Sequence, residues 1–180
     1  MSEGLTSNPP VNMMAFCERA LLALRAELHM SETVGKDNVY NVAASFDTEA
    51  SSFEDIDCNP VGLCYIWMFG IRDTIVYGRD LDEFVALVTS VQDFLELHDA
   101  RLYVYVRFLK YDFAFIQKYF KWDEVFCREP RYPLFAKTGR IEFRDSLALA
   151  GGRGLAYIGE KILRKKVKKA VGDLDYDKIR

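Results

Sequence analysis

The longest apolar run in the chain covers residues 61–71 (VGLCYIWMFGI), and it constrains the fold more than any other segment. Interrupted by Gly62 and Gly70, it falls far short of the roughly 20 residues of a membrane span, so its burial must come from a protein core. β-branched and aromatic residues dominate it and turn residues bound it, which reads as a β-strand. Residues 40–47 (YNVAASFD) have the same character, and a polar loop between the two makes a hairpin the natural arrangement. Residues 74–77, after the turn Arg72-Asp73, read as a short third strand. The rest of the chain can supply the cover these strands need: of 180 residues 50% are hydrophobic, 14% aromatic and 28% charged. That balance excludes a disordered chain and fits one domain, with or without an appendage.

Helical signals alternate with the strands. Residues 80–97 place Leu81, Phe84, Val85, Val88, Val91, Phe94 and Leu95 on one face behind Asp80, an N-cap residue with Glu83 three positions on. Residues 12–30 repeat apolar side chains every three or four positions, an amphipathic helix behind a polar leader that ends in Pro9-Pro10. Residues 102–106 (LYVYV) read as a buried strand and 112–120 as a short helix. Short strands at 125–128, 134–137 and 140–143 and a helix over 155–166 complete the series. Such alternation means an α/β fold, a mixed β-sheet flanked by helices. We expect a leader and extra N-terminal amphipathic helix over 1–38 and the main domain over 39–180. The apolar face of the first helix must be covered by its own sheet or by a protein partner.

A net charge of -3 hides an asymmetry, with ten acids and three bases in residues 1–60 against nine bases and four acids in residues 151–180. The basic run of Lys161, Arg164, Lys165, Lys166, Lys168 and Lys169 is suited either to phosphate contact or to a solvated helix end. Cys17, Cys58, Cys64 and Cys127 have neither zinc-like nor CxxC spacing, and no signal-peptide pattern opens the chain. A cytoplasmic, intracellular protein with reduced thiols is expected, with no membrane partner. Gly151-Gly152-Arg153-Gly154 lacks the spacing of a phosphate-binding glycine fingerprint and reads as a turn. Asp173 to Asp175 read as a loop of acids, and His29 and His98 as surface residues.

Asp47 and Glu49 stand out at the end of an otherwise apolar strand. In an extended chain positions i and i+2 share a face, so the two carboxylates lie side by side. Adjacent carboxylates raise each other's pKa unless a cation sits between them, and hard oxygen ligands of this kind suit Mg2+ or Mn2+. A solvated turn is the plain alternative.

The order FDTEASSF, CYIWMFGI, GRDLDEF and LYVYVRFLKYDFAFI resembles the 3′ to 5′ exonuclease domain of family B DNA polymerases, in particular the protein-primed viral and organellar branch. Asp47 and Glu49 match that family's first motif, Asp-x-Glu. Its second motif, His-Asn-x-x-aromatic-Asp, falls on Arg107-Phe108-Leu109-Lys110-Tyr111-Asp112. IEFRDSL (141–147) and GDLDYDKIR (172–180) are also similar to it, so the likeness spans residues 40–180. It implies a ribonuclease H-like exonuclease fold, with Asp47, Glu49 and Asp112 as catalytic residues and ligands of Mg2+ or Mn2+. It also implies a stacking contact from Tyr111 to the 3′ end of single-stranded DNA; Phe108 and Arg107 beside it, and Lys165, Lys166, Lys168 and Lys169 of the basic run, are further candidate DNA contacts. A phage, plasmid or other mobile-element origin goes with it.

The departures carry expectations of their own. Arg107-Phe108 stands where the family has His-Asn, Ala50 where it usually has a hydroxyl, and the chain reaches Arg180 before a third motif, Tyr-x-x-x-Asp, could occur. Losing one ligand of a two-metal site costs roughly a thousandfold in rate. The expectation is therefore a truncated N-terminal proofreading portion of a DNA polymerase acting in replication, with little or no activity alone and without the polymerase part. Its partner would be the rest of a polymerase, or a protein docking on the helix over 12–30. The alternative is a catalytically dead exonuclease-derived protein that binds DNA or a protein.

Overall fold

Cross-strand pairing decides how the apolar strands are used. In the computed structural model, which describes residues 21–162 and residue 164, the chain divides into two compact units, 1–146 and 147–180. The first opens with helix α1 (residues 21–29) and a small antiparallel ladder of β1 (Thr33–Val34) and β2 (Val39–Tyr40). Then come β3 (Ala44–Glu54), β4 (Pro60–Ile71), β5 (Thr74–Gly78), α2 (Leu81–Leu97), β6 (Leu102–Val106) and α3 (Leu109–Ile116). Strands β7 (Glu124–Glu129), β8 (Tyr132–Thr138) and β9 (Ile141–Asp145) complete it. The main sheet has the order β5-β4-β3-β6-β9-β8-β7. Strands β6 and β9 run parallel to β3 and to each other, and the hairpin partners are antiparallel. This is the expected mixed α/β sheet flanked by helices.

Both parallel connections, β3 to β6 and β6 to β9, step the same way across the sheet, so right-handed crossovers put their helices on one face. That face carries Phe46, Phe69, Val104 and Phe143, all buried. Phe84 of α2 seats on it, stacked on Phe46 at 4.4 Å and tilted against Trp67 at 5.4 Å. Trp67 also donates its indole N–H to the carbonyl of Asp80 at 2.7 Å, fastening β4 to the N-cap of α2. As its spacing predicts, Asp80 caps this helix, accepting from the N–H of Asp82 at 2.9 Å. The described part of the N-terminal helix belongs to the same core: Leu24 and Leu28 are fully buried, and Arg25 and His29 lie against Phe94 of α2. Residues 12–20 of that expected helix lie outside the described residues.

Two departures from the sequence reading matter for the site, the end of the first strand and the start of α3. The first strand does not end at Asp47 but runs on to Glu54, paired with β4 as far as Pro60, because the antiparallel register continues through a bulge at Glu49/Ala50. The polar residues Ser51 and Ser52 suffice there, since the outer arm of the hairpin faces solvent. Helix α3 starts at Leu109 rather than Asp112, which places Asp112 in its first turn. Tyr65, Tyr103, Tyr105 and Phe115 are only half-buried, whereas Trp67 and Phe69 are fully buried.

In the second unit a helical turn ending at Leu149 closes on Gly151 and Gly152, with φ of 62° and 74°, so the glycine segment is a turn. A short turn at Leu155–Tyr157 and a π-helical turn at Ile158–Ile162 follow, where a longer helix was expected. Residues 165–180, with Lys165, Lys166, Lys168, Lys169 and the acids at 173–175, lie outside the described residues. Among the described residues no helix is long and apolar enough to cross a membrane.

Because Phe84 joins three strand aromatics, Phe84→Ala should cost about 3–5 kcal/mol by loss of transfer energy and cavity formation. Urea denaturation will show it, against a change below about 0.5 kcal/mol for Thr89→Ala on the exposed side of α2.

Candidate functional site

Along β3 burial alternates: Ala44, Phe46 and Thr48 face the core, and Ser45, Asp47 and Glu49 face out. The two carboxylates therefore share the exposed face, as their spacing dictates. Strand β6 pairs with β3 only over Ala44 to Phe46, so Asp47 is the first residue past the parallel ladder. Here the strand order reverses direction, the chain having gone to β4 and β5 on one side before crossing to β6 on the other. Crevices at the carboxyl ends of strands beside such a reversal are where open α/β sheets bind ligands.

Past Phe46 the backbone of β3 has no strand on its β6 side, and the N–H of Thr48 needs another acceptor. Asp112 provides it. Its Oδ1 accepts from the Thr48 N–H at 2.8 Å and from the Thr48 hydroxyl at 2.6 Å. The α3 turn that delivers Asp112 is itself pinned from the neighbouring parallel strand. Oδ2 of Asp145, at the end of β9, accepts the N–H of Leu109 at 3.2 Å, and the hydroxyl of Ser146 donates to the carbonyl of Val106 at 3.1 Å. Asp145 is only 1% exposed, and sequence reasoning missed it as a site residue. The one signal was a carboxylate closing an apolar strand, as Asp47 does.

Burial pushes the Asp112 carboxyl up to about 6, helped by the negative charge of Asp47 and opposed by the bonds from Thr48. Asp47 is raised by burial and then by Glu49 beside it. Burial also raises the phenol of Tyr111, followed by the charges of Asp112 and Glu49, and raises the thiol of Cys64, with Asp112 adding to it. These residues therefore share one electrostatic environment. None of the salt bridges among the described residues involves Asp47, Glu49 or Asp112.

The three expected metal ligands do not fit a ready metal centre. Among the described residues no group of three or more His, Cys, Asp or Glu side chains is placed to hold a metal ion, and one oxygen of Asp112 is committed to Thr48. Tyr111 and Phe108 are 45% and 41% exposed on the first turn of α3, and Arg107 precedes them half-buried. His98 stacks on Phe94 at 4.1 Å, away from the carboxylates as expected. A cavity of about 400 Å3 between residues 34–42 and Tyr103 and Tyr105 includes none of the expected site residues.

Fold and site together define an α/β domain with a carboxylate cluster at the reversal point of its sheet. Comparison with protein-family models, curated proteins and solved structures finds no match.

An acid whose pKa is raised in the folded chain holds its proton more tightly there than when unfolded. Stability from Asp112 is thus complete at low pH and is lost as pH rises from about 4 through about 6. Relative to Asp112→Asn, the metal-free wild type should lose roughly 2 kcal/mol between pH 4 and pH 7 in denaturant titrations. Thr48→Val, which removes one bond to the ionised carboxylate, should move the Asp112 titration higher still by NMR.

Proposed function

We propose that this chain is the 3′ to 5′ exonuclease portion of a family B DNA polymerase of the protein-primed type, built on a ribonuclease H-like sheet and serving DNA replication. The observation that carries the reading is the convergence of Asp47 and Glu49 with Tyr111 and Asp112 at the reversal point of the sheet. The two segments lie about sixty residues apart, and the resemblance to the family's first and second motifs falls on both. Carboxylates crowded without a cation are a costly arrangement for a scaffold, and perturbed acids in a crevice mark functional sites more often than structural ones.

The residues of this chain serve binding and orientation. Tyr111 offers a ring face to a base at the 3′ end of single-stranded DNA, and such stacking is indifferent to sequence. Asp112 holds the α3 turn against β3, and so fixes where Tyr111 stands. Asp47 and Glu49 lie on the exposed face of β3. Slight or absent cleavage by this chain alone is inferred from Arg107-Phe108, which stands where the family has His-Asn. The remainder of a polymerase would be the partner that completes the site. The second reading, an exonuclease-derived protein that binds DNA or a protein without catalysis, draws on the tie between Asp112 and Thr48 and on Arg107-Phe108. A cytoplasmic setting suits both.

The expected outcome with a 3′-labelled single strand and Mg2+ or Mn2+ is binding without appreciable degradation, with Tyr111→Ala weakening binding roughly tenfold. Degradation that disappears in Asp47→Ala would show the carboxylates to be a working centre and overturn the assignment of slight activity. A wild-type chain that does not bind single-stranded DNA sinks both readings of a DNA-handling domain.

A further inference from the structure

The aromatic surface of α3 extends further than the motif residues. Tyr111 and Phe115, four residues apart, share one face of the helix, and Phe108 stands at its N-cap. Tyr111 and Phe115 meet edge to face at 5.4 Å, and Phe115 continues to the β3–β4 hairpin, where its ring would touch a side chain placed at Gly62. At the other end Phe108 meets Tyr132, the first residue of β8, edge to face at 6.0 Å. The ammonium of Lys110 lies 5.8 Å from the centre of the Tyr132 ring. Lys110, Arg128 and Arg131 are exposed on α3 and the β7–β8 hairpin, alongside the exposed acids Glu124 and Glu129, the latter paired directly with Tyr132. Lys110 is thus the cation that meets the aromatic surface, at its Tyr132 end.

A pair of rings kept only for packing would be covered, yet Phe108 remains 41% exposed beside a cation. Exposed π faces interleaved with bases are what a single nucleic-acid strand requires, the rings taking the bases and the cations the phosphates. We propose that Tyr132 and Lys110 form a further single-strand contact, in which a base upstream of the 3′ end stacks on the Tyr132 ring beside Phe108 and the phosphate next to it is held by Lys110. This rests on the proposed DNA-handling function and extends its site by one position onto the β7–β8 hairpin. A nucleic-acid strand is favoured over an acidic peptide because exposed aromatic rings stand beside a cation, Lys110, and an acidic peptide has no bases to stack on them.

The test is anisotropy of a labelled twelve-residue oligothymidylate titrated with the full chain in EDTA, at several salt concentrations. Tyr132→Leu, which keeps an apolar contact to Phe108 but removes the π face, should weaken binding roughly tenfold, and Tyr132→Trp should restore it. Lys110→Ala should lower the salt slope by about 0.7, one phosphate's worth for a single strand. Tyr77→Ala, an exposed tyrosine on β5, should leave binding unchanged. If Tyr132→Leu and Lys110→Ala bind as the wild type does while Tyr111→Ala is weakened, this inference is overturned and the proposed function stands. Absence of binding by the wild type overturns both. Matching affinity for an acidic peptide of equal charge, with no loss in Tyr132→Leu, would likewise count against it.

Discussion

The site depends on one unpaired length of backbone. Strand β6 stops at Val106, opposite Phe46, while β3 continues for eight more residues with β4 alone beside it. A buried N–H left without an acceptor costs on the order of 1–3 kcal/mol, and the N–H of Thr48 would be such a group. The Asp112 carboxylate takes the place of the absent strand. In doing so it draws the first turn of α3 onto β3, and with it Tyr111 and Phe108. Asp145 and Ser146 secure the other end of the same turn from β9, so three parallel strand ends jointly determine where one short helix begins.

This solution has an electrostatic consequence. A carboxylate that replaces a strand must lie at low exposure, and Asp112 is 3% exposed within the field of Asp47. Burial and like charge both favour its protonated form, while two bonds from Thr48 favour the ionised one. The balance leaves it able to change state in mildly acidic conditions. The same bonds commit one of its oxygens to Thr48.

Much of the fold was legible. The Asp80 cap, the apolar face of α2 and the hairpin of β4 with its neighbours follow from local pattern, and so does the sharing of one face by Asp47 and Glu49. The continuation of β3 past Asp47 was not, because Thr48 to Glu54 carry little apolar signal and owe their extended form to hydrogen bonds with β4. The early start of α3 was hidden for a similar reason: Phe108 makes no side-chain cap bond, and the acceptor for the first helical N–H, Asp145, lies thirty-six residues away in sequence. The pairing of Tyr132 with Phe108 likewise joins residues that no periodicity relates.

By itself, then, the sequence determined which segments are strands and helices, that their apolar faces need one shared core, and that two carboxylates stand side by side on a strand. Those are consequences of local propensity and of period-two and period-3.6 burial, which need no knowledge of neighbours. Only the tertiary structure decided that Asp112 and Asp145 are buried, what their oxygens bond, and that an aromatic stripe crosses from α3 to the β7–β8 hairpin. The reason is physical: a carboxylate's ionisation and its available lone pairs depend on the dielectric and the donors around it, and long-range strand order alone brings those together.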